Sequence, residues 1–229
     1  MDILKLIGML LEYPDESLWQ HQDEVRALIA QHYPALSSFT QHYLAAAPLD
    51  KQSDWCALFE RGRATSLLLF EHVHAESRDR GQAMVDLLAQ YEQAGLELHC
   101  RELPDHLPLY LEYLSQQDEK AARQGLKDIA PILALLGGRL KARGSEFSQL
   151  FDALLNLARS PLHSESVARQ VATEPRDDTR EAIDAVWEEE QIKFIDDKAC
   201  DRSERQQHQR RFSQDSRPQY LELTSGGAQ

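Results

Sequence analysis

Within five consecutive residues, Glu102-Leu103-Pro104-Asp105-His106, two carboxylates and an imidazole come together, the side-chain types of general acid–base catalysis. Neighbouring positions rarely face one another, and Asp105 is placed to cap the helix that follows, so spacing alone does not make a catalytic pair. Pro104 and the helix start would hold this turn rigidly, which suits its polar groups to orienting a peptide bound beside an apolar groove. His72 and His74, near Glu71 and Glu76, supply metal-ligand types. On a helix, however, residues two apart point to different faces, whereas a chelate needs a spacing of three or four. Gly137-Gly138 lacks the flanking pattern and lysine of a phosphate-binding loop, and no G-x-G-x-x-G, Gly-x-Ser-x-Gly or His-Glu-x-x-His pattern occurs. Those absences count against an enzyme of a common class.

Composition narrows the class further. The chain has 229 residues, with 34 leucines but only 6 valines and 5 threonines, a bias toward helices over sheets. Its formal charge of −13 argues against nucleic acid, whose phosphates need a basic surface, and favours basic segments as partners. Cys56, Cys100 and Cys200 are far apart and odd in number, as expected of reduced thiols in the cytoplasm. No apolar run approaches the roughly 20 residues that cross a bilayer, and residues 1–11 are interrupted by Asp2, Lys5 and Gly8. A cytoplasmic location without membrane insertion is therefore expected.

The elements that must position these residues are helical. Ile3, Leu6, Ile7, Leu10 and Leu11 recur at helical spacing behind Asp2 as N-cap and stop at Pro14. A second helix is expected from Asp15 to about Tyr33, and a third from Ser37 or Ser38 to about Ala46, each ended by a proline. Asp50 is expected to cap a fourth carrying Trp55, Leu58 and Phe59. The run from Arg63 to His74, apolar at Leu67, Leu68, Leu69 and Phe70, predicts a buried central helix. Met84, Leu87, Leu88 and Tyr91 form a stripe closed by Gly95 as C-terminal cap. Leu107, Tyr110, Leu111 and Leu114 form the next, with Pro108 in its first turn, followed by Ile129 to Leu140 and Phe147 to Ala158. Asp178 and Glu181 resemble a capping box for an acidic helix with Ile183, Val186, Trp187 and Phe194. Trp19, Trp55, Trp187, Phe59, Phe70 and Tyr110 are expected in the core. The predicted architecture is all-α, a single helical-bundle domain over residues 1–200 with a flexible polar tail, 201–229.

Trp55-Cys56-Ala57-Leu58-Phe59 resembles the aromatic-x-x-Leu-Phe motif of the redox enzyme maturation chaperones, and Glu102 to His106 resembles their Glu-x-Pro-Asp-His motif. The stretch from Phe59 to His74, continuing through Ser77-Arg78-Asp79-Arg80-Gly81-Gln82-Ala83-Met84, is more specific and is similar to the nitrate reductase delta-subunit branch. Leu11-Glu12-Tyr13-Pro14-Asp15, the segment from Asp105 to Leu114 and the segment from Ala185 to Gln191 extend the similarity over most of the chain.

The resemblance implies a dedicated chaperone for respiratory nitrate reductase, not an enzyme, with no catalytic residues, absent from the final enzyme and holding no metal or cofactor stably. It would bind the N-terminal segment of the catalytic (alpha) subunit, within the alpha-beta apo-complex, to permit molybdenum cofactor insertion before membrane docking. The motif residues Trp55, Leu58, Phe59, Glu102, Pro104, Asp105 and His106 are its expected peptide-binding set. The expected mode is an amphipathic client helix in an apolar groove ringed by acids, with His106 buried against Asp105 as a pH-sensitive group. Two rival readings are a permanent accessory subunit of the reductase and an enzyme that processes the cofactor through Glu102, Asp105 and His106.

Overall fold

A computed structural model describes residues 1–73, 78–98 and 102–188, and among these the secondary structure is helical, with no strand. The described chain forms one body over residues 1–179, and a second unit begins at residue 180. Residues 180–188 of that second unit are helical. The expected domain boundary at 200, the polar tail, His74, Cys100, Cys200 and Phe194 lie outside the described residues. Among the described residues no helix is long and apolar enough to cross a membrane.

The first helix, α1 (Asp2–Leu11), buries Leu4, Ile7, Leu10 and Leu11 completely. Asp2 lies in its first turn, and Met1 takes the cap position. The expected second helix is two, α2 (Glu16–Gln20) and α3 (Gln22–His32), because the backbone leaves helical geometry at His21. Asp15 caps α2 by accepting from the amides of Ser17 (2.9 Å) and Leu18 (3.4 Å). A 3₁₀ turn (Pro34–Leu36) leads into α4 (Ser37–Ala45). Pro48 then opens α5 (Pro48–Phe59), where its missing N–H costs nothing, so Asp50 is a first-turn residue and not the cap.

No α-helix forms over residues 63–73. Only a 3₁₀ turn, Leu69–His72, interrupts an irregular path. Hydroxyls compete with the helical ladder here: Thr65 donates to the Leu58 carbonyl, and the Ser66 hydroxyl accepts from the Leu68 amide at 3.2 Å. His72 Nε2 meets the Ser66 carbonyl at 2.9 Å, which turns the imidazole inward.

The chain continues with α6 (Arg78–Gln93), α7 (Leu107–Gln116), α8 (Glu119–Asp128), α9 (Ala130–Ala142), α10 (Ser148–Ala158) and α11 (Ser164–Val171). Gly95, at φ +77°, ends the α6 segment as expected, with the Leu96 amide returning to the Tyr91 carbonyl at 2.9 Å. The buried central helix is α9, packed between α10 and α11 and buried at Leu133, Ala134, Leu136, Gly137, Gly138 and Leu140. A Cβ on Gly138 would stand 2.9 Å from the Ala168 amide nitrogen, so the glycine lets α11 lie against α9. The first helix, α1, packs on α7. Trp55 and Phe59 are core residues as expected, whereas Trp19, Phe70 and Tyr110 are half-buried and Trp187 is 62% exposed.

Candidate functional site

Helical spacing sets Trp55 and Phe59 one turn apart on the inner face of α5. The Trp55 indole donates to the Leu11 carbonyl at 2.8 Å, satisfying one of the free acceptors at the end of α1. Tyr13 stands edge-on to Trp55 with ring centres 5.5 Å apart, and Phe59 packs against Trp55 at 5.6 Å and Phe147 at 5.2 Å. Both motif aromatics are thus held in fixed orientations by edge-to-face and tilted contacts.

The second motif is a turn pinned from two sides. The Tyr91 hydroxyl donates to the Pro104 carbonyl at 2.8 Å, and the His106 amide closes the turn on the Leu103 carbonyl at 3.0 Å. Asp105 is fully buried and does not cap α7; the cap position belongs to His106, whose side chain makes no capping bond. The Asp105 carboxylate is turned toward the 3₁₀ turn, where Oδ2 accepts from the Phe70 amide at 2.9 Å. Its carbonyl accepts from the Leu69 amide at 3.0 Å, and the Leu107 amide returns to the Leu67 carbonyl at 2.8 Å. Leu68 and His106 are therefore paired across an isolated antiparallel bridge. Burial pushes the Asp105 carboxyl above its ordinary range, against the Phe70 amide and Arg80, which pull it down.

Between the two motifs opens a hollow of about 420 Å³. Trp55 and Phe59 from α5 and Leu67 and Leu68 from the irregular segment give it apolar walls, and Tyr13 closes one side. Three exposed carboxylates, Glu12, Glu60 and Glu102, also line it, with no lysine or arginine among the lining residues. Desolvation raises the Glu12 carboxyl above its usual value, and Glu112, Asp15 and Glu102 raise it further. His106 faces the same space; burial lowers its imidazole, with Glu102 opposing, and its Nδ1 is buried without a hydrogen-bond partner among the described residues. Asp105, expected to hold His106, is not its partner. A second hollow of about 580 Å³ runs along α1 toward α3 and α7 and shares Glu12 with the first.

Of the seven residues expected from the motifs, Trp55, Phe59, Glu102 and His106 converge on the hollow. Leu58 instead lines a separate depression with Phe147 and Arg143. Pro104 and Asp105 stand behind the hollow as supports of the turn. Glu12, Tyr13, Glu60, Ser66, Leu67 and Leu68 complete the lining, and motif spacing does not point to them. Such an arrangement offers an apolar seat next to concentrated negative charge, fitted to a side chain or segment that is both oily and basic. Among the described residues no group of three or more histidines, cysteines or acids is arranged to hold a metal ion.

Residues 22–153 match the family described as the nitrate reductase delta subunit. The chain is 63% identical over 229 residues to the probable nitrate reductase molybdenum cofactor assembly chaperone NarW of Escherichia coli K12, covering 99% of both chains. It is 58% identical over 231 residues to the nitrate reductase molybdenum cofactor assembly chaperone NarJ of the same strain, with 98% of each covered. A probable chaperone of the same description, NarJ of Bacillus subtilis 168, is 29% identical over 154 residues, which span 65% of this chain and 84% of the relative. A match over more than half the chain, with near-complete coverage of relatives this similar, places the protein: it belongs to the nitrate reductase delta subunit family.

Proposed function

We propose that this protein is a dedicated assembly chaperone for a respiratory nitrate reductase. It acts in the cytoplasm on the apoprotein and leaves before the enzyme is complete. Its client is the catalytic (alpha) subunit, presented in the alpha-beta apo-complex, whose N-terminal segment enters the hollow between α5 and the Glu102–His106 turn. Occupancy of that hollow keeps the client open for molybdenum cofactor insertion and delays its docking at the membrane.

The observation that carries this reading is the convergence of two distant motifs on one acid-lined apolar hollow, in a chain that shares 58–63% of its residues with assembly chaperones. A client helix with apolar residues on one face and lysine or arginine beside them meets both features at once. The hollow along α1 extends the seat past a single side chain, since the two share Glu12. Apolar anchors supply affinity at roughly 25 cal/mol per Å² before association costs are subtracted. Release requires only moderate affinity, about −8 to −12 kcal/mol, corresponding to micromolar to nanomolar binding.

The test is capture of the apo-reductase by the full chain, followed by peptide mapping of the client and titration with a synthetic peptide of its N-terminal segment. Protection of that segment, lost in Phe59→Ala and Glu102→Lys, is the expected outcome. A chaperone that ignores the segment, or that remains stoichiometric in the mature reductase, overturns the reading.

A further inference from the structure

The wall of the hollow is held in place by a polar clamp on its far side. Residues 172–179, which follow α11, run past the loop at 62–66, and the Asp177 carboxylate bridges two groups there. Its Oδ2 accepts from the Ala64 amide at 2.7 Å, and its Oδ1 pairs with Arg143 Nη2 at 2.8 Å. Arg143, at the end of α9 with a side chain only 9% exposed, also donates through Nη1 to the Thr65 hydroxyl at 2.9 Å and lies 3.4 Å from Asp178. Thr65 passes the chain of bonds on to the Leu58 carbonyl of α5. Arg139 donates to the Ala64 carbonyl at 3.0 Å and pairs with Glu174 at 3.0 Å, so the Ala64 residue is held at both its amide and its carbonyl.

Gly62 completes the clamp, because a Cβ there would stand 2.6 Å from the Asp177 carboxylate. A carboxylate can come this close to the loop only where no side chain intervenes. Ser66, Leu67 and Leu68, which line the hollow, begin two residues beyond Ala64. Binding surfaces depend on such supporting contacts for their geometry.

We propose that Arg143 and Asp177, with Gly62 as the gap that admits the carboxylate, are positioning residues for client binding. They touch no client atom. They set the path of residues 62–66 and through it the wall at Ser66–Leu68. This inference rests on the reading of the hollow as the client seat.

Two variants break the clamp by unrelated means. Asp177→Ala removes the carboxylate, whereas Gly62→Ala displaces it and leaves every charge in the chain. The full chain and each variant are titrated calorimetrically with a synthetic peptide of the reductase catalytic subunit's N-terminal segment, and amide exchange is followed over residues 64–69. Leu126→Ala, a buried truncation on α8 away from the hollow lining, controls for general loss of stability. Each clamp variant is expected to weaken the peptide roughly tenfold, within the range of energetic coupling between linked sites. Each should also speed exchange at residues 64–69, and the double variant should be no worse than Asp177→Ala alone. The control should lose melting temperature and keep affinity.

Wild-type affinity in either clamp variant overturns the proposal, whether or not exchange at 64–69 becomes faster. Loss of affinity in Leu126→Ala in proportion to its melting temperature does so as well. Wild-type protein that ignores the peptide instead fails the reading of the hollow and takes this one with it, a result distinct from wild-type binding with unchanged variants.

Discussion

Asp105 is the motif residue whose role differs most between spacing and structure, and its substitution separates a hydrogen-bond acceptor from a charge. The side chain is fully buried, one oxygen accepts from the Phe70 amide at 2.9 Å, and the other has no partner among the described residues. Asp105→Ala leaves the Phe70 N–H without its acceptor, a loss of about 1–3 kcal/mol for a buried donor. Relief of the buried charge offsets part of this, so a net loss of about 1–2 kcal/mol is expected. For a chain of this size that lowers the melting temperature by roughly 2–8 °C. Asp105→Asn keeps an acceptor for Phe70 and removes the charge, and should stay within about 1 kcal/mol of wild type at pH 7.5.

The pH dependence of Asp105 follows from the direction of its shift. The folded carboxyl lies above the unfolded value of 3.8, so the folded chain holds the proton more readily. Its favourable contribution is therefore complete below about 3.8 and is lost as pH rises through the folded pKa. Measured as a difference, wild type should gain on Asp105→Asn as pH falls from neutrality toward 4. Thermal melts of wild type, Asp105→Ala and Asp105→Asn across that range decide the matter, with peptide titration of each alongside. Asparagine as damaging as alanine at pH 7.5, together with a wild-type minus asparagine difference that does not change with pH, would refute the assignment of Asp105 as an acceptor for the 3₁₀ turn.

Trp55→Ala should cost about 3–5 kcal/mol in urea unfolding because it empties a buried aromatic site, whereas Trp55→Phe, losing chiefly the indole bond to Leu11, should cost nearer 1 kcal/mol. Equal losses would show that packing around Trp55 is not as the ring contacts indicate. Gly138→Ala should lower the melting temperature, since overpacking against α11 costs about 1–3 kcal/mol and helix propensity returns at most about 1 kcal/mol; a rise would mean that α11 gives way freely. For His106, burial holds the folded imidazole below the unfolded value of 6.5, so its contribution is present above about 6.5 and lost as pH falls through the window beneath it. His106→Gln should therefore flatten the fall in urea midpoint between pH 7 and 5.5, with His72, shifted the same way by burial, accounting for part of what remains. Peptide association should slow as ionic strength rises, and Glu102→Gln should weaken that slope more than it weakens affinity at high salt, which stopped-flow measurement at two salt concentrations would test.

Much of the helical plan was legible because it rests on local chemistry. The stripes at Ile3–Leu11, Leu107–Leu114 and Phe147–Ala158 each bury the face their spacing indicates, and Gly95 terminates its segment in the left-handed conformation that glycine tolerates. Helix ends were less legible. Pro48 opens α5 instead of closing α4, since proline is compatible with either role, and Asp178 spends its carboxylate on Arg176 and Arg143 instead of a capping box. The helices α8 and α11 show no long apolar stripe, because each buries few residues: Ala122, Gly125 and Leu126 in one, Ser164 and Val171 in the other.

Motif spacing singles out Trp55, Phe59, Glu102 and His106 but does not indicate that they line one hollow, nor that Leu58 lines another depression. The apolar run through Leu67 and Leu68 predicts a helix, because runs of that length carry no signature of their partners. What overrides the run is the hydrogen bonding of Thr65, Ser66 and Asp105, the last of which lies 35 residues from the amide it accepts. Composition, periodicity and motif content thus settled the helical class and the residues worth watching, because those depend on side-chain character and on neighbours one turn away. The hollow, its acidic lining and the clamp through Arg143 and Asp177 were settled by tertiary structure, because each is made by groups far apart in the chain whose meeting is a consequence of how the whole core packs.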